Sequence, residues 1–310
     1  MTAHSAPPKP ATEQRFVHAG PEEPLDRALK RVLPAESWNK LRRAIETGKV
    51  RVAGEVVLEA TARVRPQAVL ELFPNARRPD LSPRLADDAI VYVDTHVVVV
   101  HKPAGVSSVP FENERGTLDD LVERWLAARE GARRSPLGIV HRIDKETSGL
   151  LVFARTLAAK RELKNRFRFH DVDRRYWAVA HGSVRAATLS SRLVQDRGDG
   201  RRGSTDNPRL GRESITHVKP LRPLVGATLV ECRLETGRTH QIRIHLAEAG
   251  HPLVGERVYS KGYRGTLLQA PRILLHAFEL GFDHPATGKP LHFEAEMPSD
   301  MREWIAARQP

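Results

Sequence analysis

Residues 137–154 read LGIVHRIDKETSGLLVFA, and this stretch carries most of the information about the fold. Its end, 150–154, is a continuous apolar run of the length typical of a buried strand. The polar run before it, His141 to Gly149, then lies at a strand edge, where rigid backbone holds catalytic side chains well. Asp144 is therefore a candidate catalytic carboxylate; the alternative is an Asp that only caps a turn.

A second polar segment lies in LETGRTHQIRIHLAEAGHPLVGE, residues 234–256. Gly237 gives the backbone freedom beside a row of hydrogen-bonding side chains. From its pattern alone, the segment is equally the start of a half-buried helix or a strand. The candidate site residues in the two segments, besides Asp144, are His141, Arg142, Arg238, Thr239, His240, Gln241 and Arg243.

The sequence argues against a metal or nucleotide site. The chain has 14 histidines, but His240 and His245 are five apart, unlike the i, i+4 pair of a helical zinc site. There is no H-E-x-x-H, no paired C-x-x-C, no Walker or Rossmann glycine pattern, and no G-x-S-x-G nucleophile elbow. We therefore expect neither a metal nor another cofactor.

The composition is that of a soluble globular protein. The chain has 310 residues, 40% hydrophobic and 28% charged, and this length suggests two domains. Its single cysteine, Cys232, excludes a disulfide framework and suits a reducing cytosol. No apolar stretch approaches about 18 residues, and the N-terminus lacks the apolar core of a signal peptide. We expect a cytoplasmic protein without a membrane span.

The charge balance indicates a polyanionic partner. Lys and Arg number 50 against 38 Asp and Glu, a formal net charge of +12. Such an excess attracts nucleic acid over about one Debye length. An Arg-rich composition inherited from a GC-rich genome gives the same excess, so charge alone leaves the partner open.

A small basic unit is predicted near the N-terminus. The apolar spacing predicts a helix in LDRALKRVLP, stopped by Pro34, and a second in SWNKLRRAIETG, with Ser37 as its N-cap and Gly48 as its C-terminal signal. Two strand pairs follow, one about Ala53-Gly54 and one near Pro66-Gln67. The cations concentrate on the second helix and its exit, at Arg42, Arg43 and Lys49. They form either an RNA-binding surface or an ordinary solvated face.

The remaining pattern indicates an α+β catalytic unit. Its strands look antiparallel and its helices are few, so we predict a large, mainly antiparallel mixed sheet. In the chain it follows a small N-terminal α/β RNA-binding domain. Residues 196–212, with five Arg and four Gly, are expected to form a mobile basic loop. The predicted organisation is a disordered tail at 1–14, the RNA-binding module at 15–75, a linker at 76–87 and the catalytic domain at 88–305.

Three motifs in this order, HRIDKETSGLLVFA, RRYWAV and ETGRTHQIRIHL, resemble the RluA family of RNA pseudouridine synthases. The resemblance spans about residues 88–300 and includes HKPAGVSSVP before the first motif and GHPLVGERVY after the last. Residues 24–73 resemble the alpha-L RNA-binding module first recognised in a small-subunit ribosomal protein. Two departures are Ile143, where Leu is usual, and Trp38-Asn39, where a Ser-Arg pair is usual.

The resemblance implies an isomerase that converts uridine in structured RNA to pseudouridine without a cofactor. Asp144 matches the family's catalytic aspartate, Arg243 its basic partner, and Tyr176 a tyrosine that stacks on uracil and helps to remove the carbon-5 proton. Arg142 is expected to fill the space of the flipped uridine or to clamp a phosphate. RNA is the expected partner, ribosomal rather than transfer RNA because of the N-terminal module, and a monomer suffices.

Two other functions remain consistent with the sequence. A protein of the same fold without chemistry would act as an RNA-binding ribosome-assembly factor; the presence of Asp144, Tyr176 and Arg243 argues against it. A metal-dependent nuclease would use Asp144 with the histidines. It would cleave the strand and lose activity in a chelator.

Overall fold

The computed structural model describes residues 13–76, 85–112, 114–131 and 135–309. The chain divides into two units, residues 1–82 and 83–310. Most of the predicted tail, 1–14, lies outside the described residues, but Gln14 belongs to a strand because the adjoining segment packs Phe16 against the core of the first unit. Of the predicted linker, 76–87, residues 77–84 lie outside the described part.

The first unit combines two helices with short strands. Its described elements are β1 (Gln14–Val17), β2 (Glu23–Pro24), α1 (Leu25–Val32), α2 (Trp38–Glu46), β3 (Val50–Val52), β4 (Glu55–Val56), β5 (Arg63–Val64) and β6 (Val69–Leu72). One sheet has the order β1-β6-β3-β4, and β2 pairs with β5. The hairpin predicted about Ala53-Gly54 is confirmed as β3–β4.

The second strand pair predicted for this unit is wrong. The strands on either side of Pro66-Gln67 exist, but β5 pairs with β2, and β6 pairs with β1 and β3. The reason is that β1 occupies the edge of β6: backbone hydrogen bonds join His18 to both Gln67 and Ala68. Local pattern predicts strands, but it does not predict which distant strand takes their edge.

The two helices form because their apolar positions share one side. Ser37 caps α2, since its hydroxyl accepts the backbone N–H of Lys40 at 3.3 Å. The residues buried between helices and sheet are Leu25, Ala28, Leu29, Leu41, Ile45, Val50, Val64 and Leu70. The exposed side chains of α2 include three basic ones, those of Lys40, Arg42 and Arg43.

The second unit is built on a sheet of 11 described strands. Its elements are β7 (Ile90–Val93), β8 (Val97–Lys102), α3 (Leu118–Glu130), β9 (Gly138–Ile139), β10 (Ser148–Ala154), α4 (Leu157–Arg168), β11 (Asp173–His181), β12 (Ala187–Val194), β13 (Gly203–Thr205), β14 (Arg212–Leu224), β15 (Ala227–Leu234), α5 (Gln241–Glu248), β16 (Leu275–Asp283), β17 (Pro290–Glu294) and α6 (Ser299–Ala306). The main strand order is β13-β12-β14-β15-β11-β16-β10-β8-β7, with β9 on β10 and β17 on β16. The α+β class with a large, mainly antiparallel sheet is confirmed.

Both faces of this sheet are covered, and alternation along the strands decides which side chains meet which helix. Helices α3 and α5 pack on one face, against side chains such as Val98, Leu151 and Tyr176. Helix α4 packs on the other face, against Leu150 and Val152. Helix α6, which the sequence analysis did not predict, packs against β11 and β15 residues through three buried side chains, Met301, Trp304 and Ile305.

Strands β10 and β16 pair in parallel where the polar run enters the sheet. Gly149 lies at this point with φ of 117°, and a Cβ there would lie 2.1 Å from the carbonyl oxygen of Ala277. Only glycine fits such a close approach of two backbones. Gly149 therefore fixes where the polar run, His141 to Gly149, enters the sheet.

The basic segment 196–212 is more ordered than predicted. It contains β13, which pairs with β12, and it is attached to α5, because the backbone N–H of Ser204 donates to Glu248 at 2.9 Å. The side chain of Arg201 also donates to the carbonyl of Val258. Glycines and charges suggested a loop, but these contacts with a distant helix are not encoded locally.

No helix of the described residues is long and apolar enough to cross a membrane.

Candidate active site

The α3/α5 face of the sheet borders a cleft of about 510 Å³. Its walls come from the polar run before β10, the end of α4, the start of β11, and the turn between β15 and α5. Residues of the α3/α5 core also reach it, namely Ile143, Tyr176, Leu234, Ile242 and Leu275. The fold thus brings the distant polar segments of the sequence to one cavity.

Asp144 lies between β9 and β10 and faces this cleft. Its side chain is 17% exposed, and its Oδ2 lies 3.7 Å from Nη1 of Arg243 and 4.0 Å from Nε2 of His240. The backbone N–H of Thr147 donates to the carbonyl of Asp144 at 3.0 Å, which closes a turn around it. A carboxylate open to a cleft and next to a guanidinium is suited to nucleophilic or base chemistry.

The backbone on both sides of Asp144 is braced by the segment after β8. Ser108 donates its hydroxyl to the carbonyl of Ile143 at 2.7 Å and accepts the N–H of the same residue at 3.2 Å. Lys102, fully buried, donates to three carbonyls, one of them that of Lys145 at 2.9 Å. Burial lowers the pKa of Lys102 to about 7, while the negative charge of Asp144 opposes that change. These contacts hold the carboxylate in place from beneath.

Arg243 is held by a second carboxylate. Its Nε and Nη2 donate to the two oxygens of Glu256 at 2.7 and 2.9 Å, and the Glu256 side chain is fully buried. Burial acts to lower the pKa of Arg243, but the hydrogen bonds to Glu256 outweigh it and the pKa is raised. With two nitrogens engaged in this way, Nη1 is the part of the guanidinium turned to Asp144.

Tyr176 projects from β11 into the same cleft. It is 7% exposed, and burial raises the pKa of its phenol to about 12, with Arg174 acting in the opposite direction and Asp144 in the same one. The hydroxyl is therefore protonated at neutral pH. A buried aromatic ring with its hydroxyl at a cleft offers both a stacking surface and a hydrogen bond.

His240 forms the rim of the cleft on the α5 side. It is the N-cap of α5, with a left-handed φ of 60° that turns its side chain toward Asp144. Its Nδ1 and the hydroxyl of Tyr259 are 2.7 Å apart, and burial lowers the pKa of the imidazole, with Asp144 opposing. His240 is thus a neutral group next to the carboxylate at physiological pH.

Comparison with known proteins shows the family of this chain. Residues 96–248 match the model of the RNA pseudouridylate synthase family, and residues 23–70 match the S4 domain. A ribosomal large subunit pseudouridine synthase D of Zymomonas mobilis is 36% identical over 292 residues, covering 90% of this chain and 91% of the relative. The chain belongs to the RNA pseudouridylate synthase family. This synthase is an isomerase that acts on RNA and carries an N-terminal S4 domain.

A second relative matches nearly the whole chain, and a solved structure matches part of it. An uncharacterised RNA pseudouridine synthase of Bacillus subtilis is 37% identical, with 93% of this chain and 96% of the relative covered. The solved structure of human RNA pseudouridylate synthase domain containing 4 has a TM-score of 0.59 at 22% identity, covering 71% of this chain and 92% of that one. That structure supports the fold of the catalytic unit.

The remaining site residues predicted in the catalytic unit of the synthase all line the cleft. They differ in how many hydrogen bonds their side chains make within the protein. Arg142 is exposed and makes no hydrogen bond or ion pair with the described residues. Thr239 and Arg238 are half-buried, and Arg238 reaches the carbonyl of Glu213 at 3.4 Å. These side chains can exchange their solvent contacts for contacts with RNA.

His141 and Gln241, by contrast, are engaged within the protein. Nε2 of His141 accepts the N–H of Val152 at 3.1 Å and its ring stacks on Phe167, while burial lowers the pKa of the imidazole to about 3. The amide of Gln241 makes four hydrogen bonds, which tie the turn before α5 to β14. These hydrogen bonds give both side chains a structural role in holding the walls of the cleft.

Sequence reasoning missed four residues of the site. They are Lys102, Arg174, Glu256 and Tyr259. All four lay within segments quoted for the resemblance, HKPAGVSSVP, RRYWAV and GHPLVGERVY. A Lys or Glu among apolar residues there is a signal of a buried, paired charge. Their partners were invisible, because Lys102 and Lys145 are joined only by the tertiary fold.

Two groups of acidic and imidazole side chains come close enough to suggest metal ligands. In the more buried one, ligand atoms of Asp94, His96 and His284 lie within 4.8 Å of one another. Nδ1 of His284 accepts two backbone N–H groups, so its Nε2 carries the proton and donates to Asp94 at 2.8 Å. Hydrogen bonds thus account for this arrangement, which joins β7–β8 to the end of β16.

The predicted RNA-binding residues of the S4 domain lie on and after α2. Arg42 donates to Asp26 at 2.9 Å and contacts the ring of Trp38, which stands where a Ser-Arg pair is usual in the family. Arg43 is exposed and Lys49 half-exposed, and neither side chain has a partner among the described residues. A shallow depression bordered by Arg42 and Arg43 adjoins them.

Proposed function

We propose that this synthase isomerises uridines of large-subunit ribosomal RNA to pseudouridine. The observation that carries the proposal is full-length similarity to relatives named for that subunit, at 36% and 34% identity. The cleft supports it, since its carboxylate lies in a cavity of about 510 Å³ bordered by cations.

The test is conversion of an unmodified large-subunit ribosomal RNA transcript by the full chain, with pseudouridine mapped at each position. The Asp144→Ala variant is the matched control, and a pool of unmodified transfer RNA is the competing substrate. We expect defined uridines of the ribosomal RNA to convert in the presence of a chelator. Conversion of transfer RNA alone contradicts the substrate, and chelator-sensitive strand cleavage supports the nuclease alternative.

The chemistry proposed for the site follows from the bonds that change. The bond between ribose carbon 1′ and uracil nitrogen 1 breaks, the base turns, and carbon 5 bonds to carbon 1′. Nitrogen 1 gains a proton and carbon 5 loses one, so the product is an isomer. A single carboxylate suffices, because no water is activated. We assign attack on carbon 1′, or the base step on the sugar, to Asp144, with Arg243 as its positioning cation.

Tyr176 is proposed to stack on the flipped uracil and to relay the carbon-5 proton. Its hydroxyl, protonated at neutral pH, accepts that proton while it passes its own to the carboxylate of Asp144. Tyr176→Phe keeps the ring and removes only the hydroxyl, so RNA affinity is expected to stay within a few-fold of wild type. Turnover is expected to fall by roughly 10²-fold, as for loss of a group that moves a proton. Single-turnover kinetics with saturating enzyme measure this. An unchanged rate removes the hydroxyl from the mechanism, and Tyr176→Leu tests the ring separately.

The S4 domain is proposed to hold RNA through the free cations on and after α2. Replacing Arg43 and Lys49 together by Gln is expected to weaken binding and to reduce the slope of log affinity against log salt by about 1 for each lost phosphate contact. Filter binding at several salt concentrations measures this slope. Arg27→Gln with Arg65→Gln removes the same charge from exposed positions outside α2. Equal effects of both pairs contradict a specific role for Arg43 and Lys49.

A further inference from the structure

An exposed aromatic ring stands at the edge of the catalytic cleft. Phe169 follows α4 directly and is 72% exposed, although the residues on either side of it, Arg168 and His170, line the cleft. The guanidinium carbon of Arg168 lies 5.7 Å from the centre of the Phe169 ring. Nothing in the chemistry assigned to Asp144 uses this ring.

The turn that presents Phe169 is fixed by its backbone. The N–H of Phe169 donates to Asn165, and that of Asp171 donates to Arg166, both at 2.9 Å. His170 between them has a left-handed φ of 62°. Arg166 also donates to the carboxylates of Asp171 at 2.8 Å and Asp283 at 3.0 Å, which ties the turn to β16. The ring is therefore held outward before any ligand arrives.

The charge around Phe169 suits a polyanion. The lining of the cleft includes the cations Lys164, Arg168, Arg174, Arg212 and Arg238. The catalytic unit offers an instructive contrast in Phe111, which is 74% exposed. The depression beside Phe111, which begins at Pro110, is bordered by four carboxylates, Glu114, Asp119, Asp120 and Glu123, against two arginines. The cleft next to Phe169 thus has an excess of cations, whereas the depression near Phe111 has an excess of carboxylates. The carboxylates in the turn of Phe169, Asp171 and Asp283, are paired with Arg166.

We propose that Phe169 is a stacking platform for the nucleobase adjacent to the target uridine. When the uridine turns out of its stack toward Asp144, its neighbour loses a stacking partner and exposes an apolar face. An aromatic side chain can cover that face and is tolerant of base identity, while Arg168 beside it is placed to contact the phosphate. The inference rests on the proposed function, because it takes the flipped base to be in the cleft.

The experiment compares Phe169→Ala, Phe169→Trp and the matched control Phe111→Ala in the full chain. The substrate is a short RNA hairpin that contains a mapped target uridine, made either intact or with an abasic residue on the 5′ or 3′ side of that uridine. Stacking on one base is worth about 1–3 kcal/mol, so Phe169→Ala is expected to lower kcat/KM on intact RNA roughly 5- to 150-fold. Phe169→Trp and Phe111→Ala are expected to stay within twofold of wild type.

The abasic RNAs separate stacking from a general defect. On the RNA that lacks the contacted neighbour, wild type and Phe169→Ala are expected to become equal, as in a double-mutant cycle. A Phe169→Ala loss of the same size on all three RNAs, or no loss on intact RNA, overturns the proposal. If wild type converts no uridine, the proposed function fails. Stacking is then tested by the fluorescence of 2-aminopurine in a single-stranded RNA. If the proposal holds, wild type quenches this fluorescence and Phe169→Ala does not. An equal effect of both proteins overturns the proposal.

Discussion

Asp144→Asn is expected to abolish pseudouridine formation while RNA affinity stays within about twofold of wild type. The amide has the size of the carboxylate and can keep its place beside Arg243, but it cannot attack carbon 1′ or accept a proton. Loss of a group that acts directly on the reacting atoms costs at least about 10⁴-fold in turnover. Single-turnover conversion of a large-subunit ribosomal RNA transcript, followed by pseudouridine mapping, measures the loss.

The neighbouring Glu146 provides the control for this experiment. Glu146→Gln removes a carboxylate from the same turn, two residues along the chain, but Glu146 does not line the cleft. It is expected to keep wild-type turnover within a few-fold. If Asp144→Asn and Glu146→Gln lose activity equally, the effect belongs to the loop as a whole and Asp144 is not the nucleophile. If Asp144→Asn retains wild-type turnover, the carboxylate takes no part in the chemistry.

The positions of Asp144 and Arg243 could be predicted from motifs, but their environment could not. Motifs report which residue types recur along the chain, whereas Glu256 acquires its role only when the segment after α5 folds back onto Arg243. A buried carboxylate is stable only with such a partner, and local sequence does not reveal the partner. The sequence therefore predicted a set of residues that line the cleft. It did not predict that Glu256 is paired with Arg243, the partner of Asp144.

The fold shows the same division between local and distant information. Helices α1 and α2 and the β3–β4 hairpin follow from apolar spacing, caps and a turn, which are local signals. The partners of β5 and β6, and the attachment of residues 196–212 to α5, depend on which distant segment occupies an edge. The roles of His141 and Gln241 also depend on distant segments. Both resemble ligand-binding side chains in the sequence, because the strands with which they form hydrogen bonds cannot be predicted from local pattern.

Arg243→Met is expected to lose both activity and stability, for separable reasons. Without the guanidinium, Asp144 has no positioning cation, so turnover falls. Without it, Glu256 also remains as a fully buried carboxylate with no counter-charge, and breaking such a pair costs about 3–5 kcal/mol. Urea denaturation monitored by tryptophan fluorescence measures the free energy of unfolding. Near-wild-type stability contradicts the buried pair.

The loss of stability in Arg243→Met is expected to become smaller as the pH falls. In the wild type, burial acts to raise the pKa of Glu256, but Arg243 outweighs it and the pKa is lowered, so this pair stabilises the fold above the unfolded pKa and less as pH falls. In Arg243→Met, burial is opposed only by the weaker effect of the backbone N–H groups of Val258 and Tyr259, so the pKa of Glu256 is expected to rise above its unfolded value. Acidification then favours the folded variant, and the stability gap between wild type and variant is expected to narrow from pH 7 to pH 5.

A second substitution separates the structural part of Arg243 from its catalytic part. Arg243→Met with Glu256→Gln removes the stranded charge while leaving an amide that can still accept the backbone N–H groups of Val258 and Tyr259. Stability is expected to recover largely, because the cost arose from an unpaired buried ion. Turnover is expected to stay low, since Asp144 still lacks its cation at 3.7 Å. Recovery of turnover together with stability would mean that Arg243 serves only to neutralise Glu256, and the positioning of Asp144 would then have to come from His240.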